Sequence, residues 1–268
     1  MNPQSLGERV ARLREEAPLV LNITNYVVMN ATANALLALG ASPIMAHAID
    51  EMDELVALSR ALVINIGTLS PPWIEAMFRA GRAARQRGVP VVLDPVGCGA
   101  STLRTTTARD LVEAVGPAVI RGNASEIKAL LGAAGGTKGV DSVLAPDQVV
   151  ADAEALARSA GCVVSVSGPV DLIVGDGRVA RVANGHPIMT RVTGMGCTSS
   201  ALTGAFLALG PTAFDAARDA MAVMGVAGEL AAERASGPGS FPAEFLDSLH
   251  ALDSATLAAR LRVSEQSA

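Results

Sequence analysis

Aromatic residues supply only 3% of this chain, so any core it builds must come from Ala, Val, Leu and Ile. Half of the residues are hydrophobic, which is enough for a sizeable core. Cysteine is scarce as well. Cys98, Cys162 and Cys197 are odd in number, widely spaced and without a Cys/His cluster around them. That pattern argues against a disulfide framework and a structural zinc site, and it fits a reducing, cytoplasmic setting. No basic stripe is present: the net charge is -5, with acids and bases interleaved, so no nucleic-acid partner is expected. Residues 1–18 lack the apolar core of a signal peptide. The apolar stretches near Ala201–Leu209 and Met221–Ala232 are broken by Gly and, in the second, by a charge. Neither reaches the ~20 residues of a membrane span, so no membrane partner is expected. The 26 glycines are scattered at apparent turns, which excludes a collagen-like or low-complexity chain.

What is present is alternation. Short runs rich in β-branched residues end in Asn, Asp, Gly, Ser or Arg: Leu19–Thr24, Ala61–Gly67, Val89–Asp94, Ala118–Arg121 and Cys162–Gly168. Near-continuous apolar runs of this kind are how strands buried on both faces read. Helix-compatible stretches lie between or after them at Ala31–Leu39, Pro71–Gln86, Thr106–Val115, Ser125–Leu131 and Asp147–Ala160. The order implies an α/β fold with a mostly parallel central sheet flanked by helices on both faces. The Gly175-Asp176-Gly177 turn between two alternating runs predicts a β-hairpin over 171–182. After Gly194 the chain reads as mostly helical, ending in a disordered tail at about 262–268. The length of 268 residues, with no polar divide, suits a single domain over 1–268.

In open parallel sheets, ligands sit beyond the carboxyl ends of the strands. Asn22, Asn25, Asn65, Thr68, Asp94, Arg121, Asn123, Ser167 and Gly168 are therefore the first candidates. Any one of them, taken alone, reads first as a cap or a strand terminator. Gly194-Met195-Gly196-Cys197 precedes a small-residue run that suits a helix; glycines at a helix start suit an anion site, and equally a helix start packed tightly against a neighbour. The spacing is neither a P-loop nor a dinucleotide fingerprint. Asp94-Pro-Val-Gly97 closes a strand, and Asn123-Ala-Ser-Glu126 opens a helix. Two carboxylates and Arg121 at neighbouring strand ends suit Mg²⁺ and phosphate, although Glu126 also reads as a favourable charge in a helix's first turn. His47, His186 and His250 are scattered and read as structural or surface residues. Trp73 reads as a packing anchor, and Cys98 and Cys162 as buried small apolar residues.

Asp-Pro-Val-Gly at 94–97, Asn-x-x-Glu at 123–126 and Gly-Met-Gly-Cys at 194–197, in this order on alternating β/α units, resemble hydroxyethylthiazole kinase. Asn22–Val27, Gly40–His47, Asn65–Leu69 and Ser165–Gly168 followed by Asp171 agree, so the resemblance runs from about Leu19 to about Phe245. It implies a ribokinase-like fold and transfer of the γ-phosphoryl of ATP to the hydroxyl of 4-methyl-5-(2-hydroxyethyl)thiazole. By the same resemblance, Asp94 and Glu126 would serve Mg²⁺ and the triphosphate, and Arg121, Ser167 and Asn123 would contact ATP. Met45, Gly194, Asn25 and Thr68 would border the thiazole. Gly194, Met195, Gly196 and Cys197 would form the anion hole, with Cys197 as the catalytic residue, base or spacer. Met195 stands where a small residue is more usual in the family. A helix N-terminus is expected to lower the Cys197 pKa. The resemblance also implies a homotrimer with sites between subunits. The other readings of the chain are a different ribokinase-like vitamin-precursor kinase and a non-catalytic nucleotide- or thiazole-binding protein.

Overall fold

The computed structural model describes residues 2–132 and 146–267. From the N-terminus run α1 (Pro3–Glu16), β1 (Leu19–Ile23), α2 (Met29–Leu39), β2 (Ser42–Met45), α3 (Met52–Leu58) and β3 (Ala61–Asn65). Next come α4 (Pro71–Arg87), β4 (Val91–Asp94), α5 (Thr102–Val115), β5 (Val119–Asn123) and α6 (Ala124–Leu131). They are followed by α7 (Pro146–Ala160), β6 (Val163–Ser167), β7 (Asp171–Gly175) and β8 (Arg178–Val182). The chain finishes with α8 (Met195–Leu207), α9 (Ala213–Arg234), α10 (Phe241–Ala251), α11 (Ser254–Arg260) and β9 (Val263–Ser267). Among the described residues the sheet has nine strands, in the order β2-β1-β3-β4-β5-β6-β7-β8-β9. Strands β1 to β6 pair in parallel, and β7, β8 and β9 continue the sheet antiparallel.

Alternation along each strand divides the core in two. Val20, Ala61, Val63, Val92, Val119 and Val163 face one layer, which α1, α2, α8, α9, α10 and α11 complete. Leu21, Leu62, Ile64, Val91, Leu93, Ile120 and Val164 face the other, covered by α3, α4, α5, α6 and α7. With few aromatics available, Ala-rich helices lie close to the sheet. Helix α9 alone buries Ala216, Ala217, Ala220, Ala222 and Ala227 at 0% exposure. Cys98 is buried as expected, whereas Cys162 is half-buried. Trp73 is an anchor: it is 4% exposed, its Nε1 donates to the Thr24 carbonyl at 3.1 Å, and it stacks on His47.

Two expectations are corrected. Strand β5 does not end at Arg121 but runs to Asn123, so Arg121 projects from the strand interior onto the α8 face. The stretch expected to be a disordered tail instead forms β9, in register with β8 from Val182↔Val263 to Arg178↔Ser267. Strand β8 would otherwise present an open edge of backbone donors and acceptors. Arg218 Nη1 also holds the new strand by donating to Glu265 Oε1 at 2.8 Å. A short polar run such as Ser264-Glu265-Gln266-Ser267 carries no strand signal of its own; the neighbouring edge supplies it.

Candidate active site

The pleat determines which polar side chains meet. Asn65 and Asp94 are direct partners across β3 and β4, and Arg121 and Ser165 are partners across β5 and β6. Continuing the Leu93↔Ile120 pairing by one residue sets Asp94 against Arg121. Asn65, Asp94, Arg121 and Ser165 thus form one row across four parallel strands. They share the strand parity of Val63, Val92, Val119 and Val163, so the row faces α8. All four are buried, between 0% and 7% exposed. Three atoms of this row, Asp94 Oδ1, Arg121 Nε and Ser165 Oγ, have no hydrogen-bond partner, nor does Asn22 Oδ1 on the same face. Buried polar groups without partners are costly, and sites that receive a ligand are where they recur.

Asp94 is held from one side only. Its Oδ2 accepts from Asn65 Nδ2 at 2.8 Å and from Ser200 Oγ at 2.7 Å, while Oδ1 is left bare. Burial pushes its carboxyl up to about 6, and the nearby Glu126 charge adds to this. Arg121 and the hydrogen bonds from Ser200 and Asn65 pull the other way.

Above the row begins α8. Gly194 is its N-cap with φ +87°, and a Cβ there would lie 2.8 Å from Val28 Cγ1. At Gly196 a Cβ would lie 2.6 Å from Arg121 Nη1, so glycine is what lets the guanidinium lie against the helix start. The first N–H groups of a helix have no intrahelical acceptor, and Gly194 makes no side-chain cap. Backbone donors at 195–197 and a buried guanidinium therefore lie together, an arrangement that can hold an anion.

Cys197 sits on the first turn of α8. Asn25 Nδ2 lies 3.5 Å from its Sγ and donates to Asn65 Oδ1 at 2.9 Å. The expected lowering of the thiol pKa is reversed. Burial, and then the charge of Asp94, push it up to about 11, outweighing Asn65, Asn25 and Arg121. Near neutral pH Cys197 is a thiol.

On the thiazole side of the expectation, Asn25 is 4% exposed and Thr68 Oγ1 accepts from the Tyr26 N–H at 3.2 Å. Met45 closes β2 beside Asn22, its register partner. Asn25 follows β1, Met45 ends β2, Thr68 follows β3 and Gly194 caps α8. On the nucleotide side, Ser167 pairs in register with Asn123. Asp171 Oδ1 accepts from the Gly168 N–H at 2.9 Å, shaping the turn after Ser167, and burial raises its carboxyl to about 6. Asn123 Oδ1 is committed to capping α6, accepting from the Glu126 N–H at 2.9 Å and from Ser125 Oγ at 2.7 Å. Glu126 completes that capping box, since its Oε2 accepts from the Asn123 N–H at 2.8 Å. Its Oε1 accepts from the Gly97 N–H at 2.8 Å, tying α6 to the turn after Asp94. Glu126 is thus fixed by two backbone donors, and each oxygen keeps a second lone pair.

Two contributors escape the sequence reading. Ser200 is 0% exposed and lies 106 residues from the carboxylate it binds. In the run Cys197-Thr-Ser-Ser-Ala201 it reads as helix packing. Arg104 donates to the Ile66 and Gly67 carbonyls at 3.1 and 2.7 Å and to the Val96 carbonyl at 2.7 Å. It staples the loops after β3 and β4, and nothing in its local sequence marks it. Among the described residues, no group of three or more His, Cys, Asp or Glu could hold a metal ion. Any metal here would use one or two carboxylates, with phosphate and water completing the shell.

Residues 10–255 match the model of the hydroxyethylthiazole kinase family. The chain is 56% identical over 260 residues to a hydroxyethylthiazole kinase of Nitratidesulfovibrio vulgaris, covering 97% of each chain. It superposes on the hydroxyethylthiazole kinase of Pyrococcus horikoshii with a TM-score of 0.91 and 42% identity, covering 98% of this chain and 99% of that one. A pyridoxal kinase from Staphylococcus aureus, 15% identical with a TM-score of 0.65 over 94% of this chain and 99% of its own, shares the fold.

Proposed function

The chain belongs to the hydroxyethylthiazole kinase family and is an ATP-dependent kinase, and from that premise we propose how its residues divide the transfer. The acceptor is 4-methyl-5-(2-hydroxyethyl)thiazole, whose hydroxyl oxygen takes the γ-phosphoryl as ADP leaves. The observation that carries the assignment of residues is the bare, buried Asp94 Oδ1 and Arg121 Nε beneath the N-terminus of α8. A negative and a positive group, each incomplete, flank backbone donors, which suits a phosphoryl group and its counter-ion.

Phosphoryl transfer needs in-line positioning and charge neutralisation more than covalent help. Arg121 and the amides of Met195, Gly196 and Cys197 meet the charge on the phosphoryl oxygens. Asp94 Oδ1 and Glu126 are the oxygens that would hold Mg²⁺, which supplies positive charge against the triphosphate. Ser167 and Asn123 lie on the nucleotide side, Asn123 through its neighbours because its own carbonyl caps α6. Asn25, Met45, Thr68 and Gly194 border the thiazole. Cys197 orients the acceptor hydroxyl. With its thiol at about 11 it is not an effective general base at neutral pH, so the spacer role is the one we adopt.

The whole chain is read as a single kinase domain working in the cytoplasm; among the described residues no helix is long and apolar enough to cross a membrane. Tyr26 and Val27 are 61% and 64% exposed beside Asn25, which suits a homotrimer whose neighbouring subunit covers this edge. Light scattering at micromolar concentration tests that assembly, and a monomer refutes it. The catalytic assignment is tested by ADP release from ATP with and without Mg²⁺ and with and without the thiazole. Release should require all three components, and Asp94→Asn should abolish most of it.

A further inference from the structure

Asn65 is a strand-end residue to which neither the resemblance nor the anion cradle gives a task. It is 1% exposed. Both ends of its carboxamide are engaged, and they reach different parts of the site. Nδ2 donates to Asp94 Oδ2 at 2.8 Å. Oδ1 accepts from Asn25 Nδ2 at 2.9 Å and from the Gly67 N–H at 2.9 Å. Asn25 in turn reaches Cys197 Sγ at 3.5 Å, and Gly67 precedes Thr68. The contacts therefore run from the acceptor side, through Asn25 and the loop after β3, to the carboxylate beneath the anion cradle.

We propose that Asn65 is a positioning residue for the transfer, fixing which oxygen of Asp94 is free for metal and phosphate and holding Asn25 and Gly67 against the acceptor. The inference rests on the reading of Asp94 and Asn25 given above. A carboxylate on a strand end turns freely about its terminal bond unless one oxygen is pinned. Asn65 and Ser200 both donate to Oδ2 and neither touches Oδ1, so the plane of the carboxylate is fixed and the bare oxygen always points the same way. A backbone group cannot replace Asn65, because β3 pairs with β4 through the main chain and only a side chain projects onto the α8 face. Aspartate would keep the acceptor end but present an oxygen to Oδ2. Leucine would keep the volume and lose both ends. Of the two side chains that donate to Asp94 among the described residues, Asn65 serves both sides, whereas Ser200 bonds Asp94 and its own helix, at the Gly196 carbonyl.

That asymmetry makes the test. ADP affinity is measured by calorimetry with and without Mg²⁺, and the ratio gives the gain due to the metal; turnover and KM for the thiazole are measured in parallel. Ser200→Ala should shrink the magnesium gain by about threefold or more and leave the thiazole KM unchanged, since one of two pinning donors is lost. Asn65→Leu should shrink the gain similarly and also raise the thiazole KM about tenfold, through the loss of the hydrogen bonds that hold Asn25 and Gly67. A residue that only supports the fold would lower the melting temperature and move neither quantity in the folded protein. Should Asn65→Leu fail to fold, Asn65→Asp retains the acceptor for Gly67 and Asn25. It should keep the thiazole KM while losing about tenfold or more in turnover, because its oxygen repels Asp94 Oδ2. Asp94→Asn separates the two levels. If it keeps the full magnesium gain, the role of Asp94 is wrong. If it loses the gain while Asn65→Leu, or Asn65→Asp in its place, behaves like the parent, the positioning role of Asn65 is overturned and the role of Asp94 stands.

Discussion

Asp94 and Asp219 are both buried aspartates, 1% and 0% exposed, and both face the helical layer that contains α8 and α9. Burial raises the pKa of each. Their surroundings differ in kind. Asp219 lies between two guanidiniums: Arg218 bonds its Oδ1 at 2.9 Å and Arg9 makes an ion pair with its Oδ2. Arg218 extends the cluster to Asp215 and Glu265, both at 2.8 Å. Asp94 has only neutral donors, on one oxygen, and its other oxygen is bare. A buried charge matched by opposite charge within the chain belongs to the architecture. A buried charge left half-matched is a site awaiting a partner from outside, and it lowers the stability of the empty protein.

The largest effects should come from neutralising each aspartate. Asp94→Asn should reduce turnover by about 10²-fold or more, as removal of transition-state electrostatics does. It should also stabilise the ligand-free protein at pH 7. The folded pKa of about 6 lies above the ordinary value of 3.8, so Asp94 favours folding while protonated, below pH 3.8, and that contribution is lost as pH rises through 6. Removing the ionisation removes a penalty of about 3 kcal/mol at neutral pH. Although burial raises the Asp219 carboxyl too, Asp219→Asn should do the reverse, because the asparagine leaves the Arg9 and Arg218 guanidiniums without the buried counter-charge they pair with; the cost should be about 3 kcal/mol, with turnover of the folded fraction unchanged. Thermal melts and steady-state rates of both variants decide it. Matching losses of activity in the two would end the distinction.

Next in size is the close approach at the helix start. Gly196→Ala puts a methyl 2.6 Å from Arg121 Nη1, which must move. Turnover should fall at least about tenfold, with far less change at Gly204 or Gly225 variants of equal melting temperature, since displacing a charged clamp by an ångström is costly. Equal rates for Gly196→Ala and the parent would show that the guanidinium position is immaterial.

The Asp94 half of this comparison is partly legible in the sequence. Asn65, Asp94 and Arg121 lie at or near the ends of apolar β-branched runs, which marks them as candidates; runs apolar on both faces do not say which face each takes, and the pairing register is what puts them in one row. The glycines before α8 announced a helix start open to an anion. What was not visible depends on contacts between distant segments. Ser200 looks like any small residue of a packed helix until the helix lies over β4. Arg104 is one arginine on an ordinary amphipathic helix until three loop carbonyls surround it. Strand β2, Ser42-Pro-Ile-Met45, is short, half-buried and at the sheet edge, so it lacks the apolar continuity of the central strands. Strand β9 lacks it altogether. The direction of the Cys197 pKa was misjudged for a related reason: a helix terminus is legible in sequence, but the depth of burial and a carboxylate from another strand are not.

The pH profile sharpens the contrast further. If ionised Asp94 is required, kcat/KM for ATP should fall on the acid side of about pH 6 and be level above it until the alkaline limit. Asp171 is also raised to about 6 by burial, so it is the rival source of this limb. Asp171→Asn should retain the limb, and its disappearance in that variant would move the assignment to the turn after Ser167. Cys197 supplies a smaller effect. At about 11 the thiolate is about one part in ten thousand at pH 7, so Cys197→Ala should lose about tenfold or less. Cys197→Asp should match or exceed the parent, since a carboxylate starts from a far lower pKa than a thiol and can accept the hydroxyl proton. A hundredfold loss in the alanine variant would restore the thiol as a base.

The smallest effect expected is at the far end of the Asp219 cluster. Glu265 lies on β9, and its side chain is 23% exposed where it meets Arg218. Arg218 keeps Asp215 and Asp219 whether or not Glu265 is charged, so Glu265→Gln leaves the buried guanidinium compensated. A partly exposed ion pair contributes about 0–1 kcal/mol, which for a chain of this length corresponds to a shift of at most a few degrees. The glutamine can still accept from Arg218 and the β8–β9 ladder is untouched, so the strand should stay paired. Turnover and the magnesium gain in ADP affinity should both equal the parent's, because β7 and β8 stand in the sheet between β9 and the row beneath α8. Amide hydrogen exchange over Val263–Ser267 provides the direct reading. Protection close to the parent's shows that the open edge of β8 recruits the tail; its loss with this one charge would show that the ion pair does, and the contrast drawn between the two aspartates would then have to include a strand held by electrostatics.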